Sequence, residues 1–136
     1  MEPRDIYEFI NKNKVFCLAT SEGNIPSVRM MAIFKADETG IFFVTDRRKK
    51  VFEDLTLNGA VELCFFNTSD NRQVRVKGLV SFPTNAAIRE QAISCFPFLK
   101  KYSEKDTDNL VVACIRHGVA KPWNFDGITT SMMIDL

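Results

Sequence analysis

The sequence lacks several features, and each absence excludes a class of protein. It contains one histidine, His117, and its four cysteines, Cys17, Cys64, Cys95 and Cys114, form no Cys-x-x-Cys pair, so no metal site is indicated. No stretch approaches the roughly 18 apolar residues that a membrane-spanning helix needs. The formal net charge is only +1, which argues against a protein that binds nucleic acid or an anionic membrane through its overall charge.

The first residues also lack the apolar block of a signal peptide, since positions 1–11 carry charges of both signs. We therefore expect a cytoplasmic protein, in which thiols stay reduced. Three of the cysteines lie in the apolar runs VFCLAT, VELCFF and VVACI. The simplest expectation is that the cysteines are buried, reduced and without a chemical role.

Short apolar segments separated by turn residues dominate the chain. Its 136 residues, 46% of them hydrophobic, suit one domain with one core. The segments rich in β-branched and aromatic residues predict strands at 15–20, 28–35, 41–45, 60–66, 73–82, 110–115 and 121–125. This pattern favours an antiparallel barrel or sandwich.

Helical patterns interrupt these strands. Residues 3–12 place Ile6, Phe9 and Ile10 on one stripe, and further helices are predicted at 47–57 and 84–95, with a helical turn near 98–102. The chain is therefore expected to be an α+β protein, mainly β.

The run Thr45-Asp46-Arg47-Arg48-Lys49-Lys50 is unusual for the start of a helix. With Asp46 as the predicted N-cap, four cations would occupy a first turn that normally carries acidic residues. Each exposed cation there opposes the helix dipole by about 0.3–1 kcal/mol. A bound phosphate would reverse that sign, so the run predicts an anion site.

A simpler interpretation of the basic run needs no ligand. Lys49 with Glu53 and Lys50 with Asp54 are i,i+4 pairs, each worth roughly 0.2–0.5 kcal/mol. A solvated basic helix face would therefore also explain the run.

Read in order, VFCLATSEGNIPSVR, IFFVTDRRKKVFEDL and RQVRV resemble the FMN-binding split-barrel superfamily of pyridoxamine 5′-phosphate oxidase-like proteins. The similarity is greatest to the short members grouped with nitroimidazole-resistance proteins. The resemblance implies a six-stranded antiparallel split β-barrel with flanking helices, forming a single FMN-binding domain over residues 1–136. It also implies a homodimer with FMN at the subunit interface.

The resemblance also implies a set of cofactor-binding residues. Arg29 matches a phosphate-binding arginine, Met30 and Met31 a strand that faces the isoalloxazine ring, and Thr45 a hydroxyl that binds the phosphate. The remaining matches are Lys49 and Lys50 as a basic pair, Gln73 near the polar edge of the flavin and Trp123 as a nearby aromatic residue.

Each of these assignments has a structural alternative. Arg29, in an apolar strand, could equally be paired with a neighbouring carboxylate. Gln73 could be a solvent-facing strand residue, and Trp123 could serve the core or a dimer contact.

The chain departs from the oxidase pattern at several positions. Phe34 stands where the oxidase has a phosphate-binding lysine, and Arg48 stands where many relatives have serine or threonine. The C-terminal Arg-x-His substrate element is absent. Arg47 or Arg48 could replace part of the missing phosphate charge, and true pyridoxamine-phosphate oxidase activity is not expected.

The function implied is an FMN-dependent oxidoreductase acting on a small molecule, with NAD(P)H or a partner protein as reductant. No residue is singled out as a catalytic acid, base or nucleophile, although Phe96 and Phe98 could line an acceptor pocket. One alternative is a flavin-binding or electron-transfer module without turnover. Another is a split barrel that holds haem or a deazaflavin, the haem being disfavoured by the lone histidine.

Overall fold

Eight antiparallel strands and four helices build the protein, which the computed structural model describes over residues 2–123 and 133–136. The strands are β1 (Val15–Glu22), β2 (Ile25–Asp37), β3 (Gly40–Asp46), β4 (Ala60–Asn67), β5 (Arg72–Ser81), β6 (Leu110–Ile115), β7 (Val119–Trp123) and β8 (Ile134–Asp135). The helices are α1 (Pro3–Lys12), α2 (Lys50–Leu57), α3 (Ala86–Cys95) and α4 (Lys101–Glu104). Short 3-10 turns lie at Pro97–Lys100 and Thr107–Asn109. The last two residues of the strand predicted at 121–125 lie outside the described residues.

Strands β1 to β6 close into a barrel. The sheet order is β4-β1-β2-β3-β6-β5-β7-β8, and pairing of β4 with β5 completes the ring. This confirms the predicted six-stranded antiparallel split barrel with flanking helices. In the part of the chain that the structure describes, no helix is both long and apolar enough to cross a bilayer.

The barrel opens between β5 and β6. These strands pair only at Val80 with Ile115 and at Ser81 with Cys114, while the first half of β5 pairs with β7 instead. The N-terminal half of β6 therefore has a strand partner only on its β3 side among the described residues. This opening leaves room for a pocket beside β6.

Aromatic residues fill the barrel interior. Phe16 contacts both Phe43 and Phe65, with ring centroids 5.4 and 5.1 Å apart, and all three side chains are buried. Ile6 and Ile10 of α1 pack against the same cluster. Each buried side chain of this size contributes about 1.5–3 kcal/mol. The stripe predicted on residues 3–12 thus attaches α1 to the barrel.

A register shift in β2 redirects the strand. Ile33 pairs with Phe43 and Lys35 with Phe42, so Phe34 is the extra residue of a bulge. Phe34 packs under α3 in a second apolar cluster outside the barrel. Lys35 lies over the ring of Phe42 and forms an ion pair with Asp37, at 3.6 Å. Neither residue supplies the cation that the oxidase has at this point.

The predicted start of the second helix is wrong. Helix α2 begins at Lys50 rather than at Arg47, and its N-cap is Lys49, which makes no side-chain capping bond. Asp46 ends β3, and its carboxylate accepts a hydrogen bond from the Arg48 backbone, at 2.9 Å. The cations from Arg47 to Lys49 therefore lie in the turn before the helix, where they oppose its dipole less.

The prediction of four buried cysteines is also wrong, although all four thiols are free. Cys114 is buried and Cys95, at the end of α3, is exposed. Cys17 and Cys64 face each other across β1 and β4 and are half-buried. Strand alternation explains this difference, because their neighbours Phe16 and Phe65 occupy the interior.

Candidate functional site

A pocket of about 560 Å³ lies between the middle of β2, the end of β3 and the segment that follows α3. This volume falls in the range of small-molecule sites. Five of the nine residues predicted to bind a cofactor line it: Met30, Met31, Thr45, Arg48 and Lys49. The other lining residues are Ala32, Val44, Asp46, Phe96, Phe98, Leu99, Lys101, Tyr102 and Leu110.

Thr45 offers the pocket a hydroxyl that no other described group uses. Thr45 is buried, and its Oγ1 has no hydrogen-bond partner among the described residues. A buried polar atom without a partner costs about 1–3 kcal/mol. An anion in the pocket would accept that hydrogen bond and remove the cost.

Asp46 organises the basic side of the pocket. Its carboxylate accepts hydrogen bonds from the Arg48 guanidinium at 2.9 and 2.7 Å and from the Tyr102 hydroxyl at 2.5 Å. The Arg48 hydrogen bond is the main reason that the pKa of Asp46 lies well below its usual range. Arg48 is thereby oriented, but its charge is largely neutralised by Asp46.

Among the cations of this turn that line the pocket, Lys49 is the one whose charge is available. It is exposed, and within the described chain it forms no ion pair, so the predicted pairing with Glu53 is not found. Lys101 adds a second cation from the opposite wall. Because Asp46 offsets the charge of Arg48, Lys49 and Lys101 leave the pocket with a net positive charge.

Lys50 and Arg29, both predicted to bind the phosphate, converge instead on the buried carboxylate of Asp54. Lys50 Nζ lies 2.8 Å from one Asp54 oxygen, and Arg29 Nη2 lies 3.0 Å from the other. Arg29 also donates to the Thr20 hydroxyl, at 2.7 Å. The Lys50 hydrogen bond is the largest cause of the lowered pKa of Asp54. For both residues the carboxylate alternative is the one that the structure shows.

Apolar residues make up a large part of the pocket lining. Met30 and Met31 lie on β2, and Phe96 and Phe98, whose tilted rings have centroids 5.5 Å apart, lie in the segment after α3. Phe98 is 71% exposed, so the pocket is open on that side. These side chains give the pocket an apolar part.

Gln73 and Trp123 lie elsewhere. They are register partners on β5 and β7, and neither lines the pocket. Both belong to the outer face of the sheet, as does Phe66, which pairs with Gln73 on β4. The structure therefore does not bring these two residues to the pocket of their own chain.

The same outer face carries a row of exposed apolar side chains. Val15, Val28 and Met30 are 57%, 69% and 64% exposed. They lie on the adjacent strands β1 and β2, where Met30 pairs with Cys17. These side chains give β1 and β2 an exposed apolar surface.

Sequence reasoning missed two polar lining residues, Tyr102 and Lys101. The segment SCFPFLKKY was predicted only as a helical turn with two loop phenylalanines. A buried tyrosine needs a partner for its hydroxyl, but nothing in the sequence identifies Asp46 as that partner across 56 positions.

The barrel and the pocket define a class: a split-barrel protein with a pocket lined by cations and apolar side chains. Residues 3–118 match the family model described as pyridoxamine 5′-phosphate oxidase. The chain belongs to this family, which confirms the resemblance seen in the sequence.

Curated relatives match parts of the chain. A pyridoxine/pyridoxamine 5′-phosphate oxidase of Anaeromyxobacter dehalogenans is 40% identical over 65 residues, which are 47% of this chain and 33% of the relative. The oxidase of Pelagibacter ubique is 29% identical over 100 residues, which are 66% of this chain and 48% of the relative. The chain thus spans only a third to a half of these relatives.

Solved structures match nearly the whole chain. A NimC/NimA family protein from Clostridium acetobutylicum has a TM-score of 0.82 at 25% identity, with 98% of this chain and 93% of that chain covered. An FMN-binding protein from Nostoc punctiforme has a TM-score of 0.68, with 92% of this chain and 85% of that chain covered. A haem-binding protein from Mycobacterium smegmatis has a TM-score of 0.76, with 100% and 58% covered. The last two are 13% identical and show the shared fold alone.

Proposed function

We propose that residues 1–136 form one FMN-binding split-barrel domain and that the protein is an oxidoreductase acting on a small molecule. One observation carries the proposal: the pocket joins a Thr45 hydroxyl and a Lys49 that have no partner among the described residues to a lining rich in apolar side chains. FMN has the matching parts, since its phosphate is anionic and its ring is flat and largely apolar. Membership of the oxidase family supports the same choice.

Three residues of the turn would hold the phosphate. The Thr45 hydroxyl would donate a hydrogen bond, and Lys49 would supply an uncompensated charge. Arg48 would present its remaining N–H groups, held in direction by Asp46. Bound FMN would supply the redox chemistry, and the protein would set its position and surroundings.

Arg29 and Lys50 would act through helix α2 rather than on the phosphate. Arg29 on β2 joins Asp54 of α2 to Thr20 on β1, and Lys50 of α2 pairs with Glu22 on β1, at 2.9 Å. These contacts hold α2, which begins directly after Lys49, against the two strands. We therefore propose them as positioning residues. Met30 and Met31 would contact the ring from β2.

A homodimer would complete the site. The exposed apolar row on β1 and β2 gives two copies a surface to bury, and Gln73 and Trp123 share that outer sheet face. In a symmetric pair, these two residues would approach the FMN of the partner copy. This would explain why they lie away from the pocket in their own chain.

The open side of the pocket would admit the second substrate. Phe96 and Phe98 offer aromatic surface there, and NAD(P)H or a partner protein would reduce the flavin. The Tyr102 hydroxyl is already engaged by Asp46, so no described pocket residue is assigned as a catalytic acid or base. A cytoplasmic location stays a prediction.

The absorbance spectrum of the purified protein tests the proposal. A yellow preparation with a flavin spectrum, or saturable quenching of FMN fluorescence on titration, is expected. Thr45→Val and Lys49→Gln should each weaken FMN binding by about tenfold, since a hydrogen bond to a charged group contributes about 1.5–3 kcal/mol. Lys14→Gln, an exposed lysine outside the pocket, is the matched control.

A colourless protein that does not bind added FMN would overturn the proposal. A haem or deazaflavin spectrum would show that the pocket holds a different cofactor. His117, the lone histidine, lies in an exposed turn and lines no described pocket. NAD(P)H oxidation in the presence of an electrophilic acceptor would separate an oxidoreductase from a flavin-binding module.

A further inference from the structure

Arg47 belongs to the basic run but not to the pocket that the rest of the run serves. It lines a second pocket of about 750 Å³ on the opening side of β6, beside Phe52, Phe82 and Arg89. The two pockets share only Leu110. Inferences about the second pocket therefore stand apart from the FMN proposal.

Two guanidinium groups converge in this second pocket. Arg47 Nε donates to the Asp108 carbonyl at 3.0 Å, and Arg89 donates to the carbonyls of Leu110, at 2.9 Å, and Thr107. The three carbonyls fall within four consecutive residues, so the two side chains approach the same short stretch. Both guanidiniums are thus held in place by backbone groups.

The charges of these two arginines are not compensated by an ion pair. Neither Arg47 nor Arg89 forms a salt bridge in the described part of the chain. The hydrogen bonds to backbone carbonyls also use only some of the N–H groups of Arg47 and Arg89, since each guanidinium carries five. With Asp108 on the rim, the pocket has a formal charge of +1. Such a site suits a monoanion rather than a dianion.

An aromatic wall adjoins the two guanidiniums. The rings of Phe52 and Phe82 lie 5.4 Å apart, and the Arg47 guanidinium lies 5.2 Å from the centre of the Phe52 ring. Both phenylalanines are half-buried, so part of each ring faces the pocket. A ligand with a ring beside its charged group would contact both features together.

We propose that this second pocket binds a small aromatic monocarboxylate. Its carboxylate would accept hydrogen bonds from Arg47 and Arg89, and its ring would pack against Phe52 and Phe82. The ligand would be a substrate or an effector, and it would bind separately from the phosphate proposed for the first pocket.

Calorimetric titration of the purified full chain with benzoate tests this site. Benzoate should bind saturably, both with and without added FMN, and benzamide and phenyl phosphate should bind at least tenfold more weakly. Arg47→Gln and Arg89→Gln should each weaken benzoate binding by about tenfold or more, as expected for loss of a charge-assisted hydrogen bond. Lys49→Gln, in the first pocket, should leave benzoate binding unchanged.

Three results would overturn the proposal: no benzoate binding, equal binding by the wild type and Arg47→Gln, or tighter binding of phenyl phosphate that Arg47→Gln also weakens. Arg47 is exposed, so its substitution is compatible with folding even if Arg89→Gln, which loses two carbonyl bonds, is not. Arg47→Gln should also retain the FMN titration of the wild type. A failed FMN proposal would leave the benzoate result intact, so the two proposals fail separately.

Discussion

Removing one hydroxyl, in Tyr102→Phe, tests whether the segment after α3 is joined to the basic turn as the structure indicates. Tyr102 is buried, and its hydroxyl donates to Asp46 at 2.5 Å. Phenylalanine keeps the ring, which packs with Leu99 and Leu110, and deletes only the hydrogen bond. Asp46 retains its bonds from Arg48, so the carboxylate is not left alone.

The expected loss of stability follows from the kind of bond removed. A hydrogen bond to a charged group contributes about 1.5–3 kcal/mol, and the lower end applies here because Asp46 keeps other donors. The unfolding entropy of a chain of 136 residues is about 0.3 kcal/mol per degree. A loss of about 1.5 kcal/mol should therefore lower Tm by about 5 °C.

Thermal unfolding followed by circular dichroism measures this difference, at equal protein concentrations because dimerisation would make Tm concentration-dependent. The only other tyrosine provides a matched control. Tyr7 is half-buried against the core, and its hydroxyl has no hydrogen-bond partner among the described residues. Tyr7→Phe should change Tm by less than about 2 °C.

The pH dependence gives the experiment a second readout. The folded state lowers the pKa of Asp46, so this carboxylate stabilises the fold above its unfolded pKa of 3.8 and loses the effect as pH falls further. The unfolded pKa is common to both variants, so the Tm difference caused by Tyr102→Phe should be constant from about pH 8 down to about pH 4 and shrink only as pH approaches the lowered folded-state pKa of Asp46. Equal Tm values for Tyr102→Phe and Tyr7→Phe at pH 7 would refute the reasoning.

Two further predictions concern the surface. Val28→Asp should convert the proposed dimer into a monomer in size-exclusion chromatography with light scattering, whereas Leu57→Asp, equally exposed but on α2, should not. A monomeric wild type would contradict the dimer. Among the thiols, Cys95 should react fastest with a thiol reagent at neutral pH, since it is exposed and burial raises the pKa of Cys64 and Cys114. If the Cys95→Ser variant is labelled as fast as the wild type, another cysteine is the accessible one.

Local patterns allowed most of the fold to be predicted. Helix α1 and strand β6 have the predicted bounds, because their apolar spacing depends only on neighbouring residues. The i,i+4 pair of Lys50 with Asp54 is present for the same reason. Such features depend on contacts within one turn of helix or along one strand.

Features that depend on distant residues could not be predicted. Asp46 looked like a helix cap, but its carboxylate is occupied by Arg48 and by Tyr102 from another part of the chain. For Arg29 a carboxylate partner could be expected in general, but not Asp54 in particular, 25 positions away. The bulge at Phe34 likewise depends on pairing with β3. Sequence spacing alone does not contain these contacts.

The four consecutive cations from Arg47 to Lys50 have different surroundings, so their number alone does not predict how strongly the run binds an anion. Arg47 lines one cavity, Arg48 and Lys49 line another, Arg48 is paired with Asp46, and Lys50 joins α2 to Glu22 on β1. In a related chain, exchanging arginine for lysine or glutamine would therefore have a different effect at each of these places. The run should therefore be compared position by position between proteins, and its total charge is a poor guide to anion affinity.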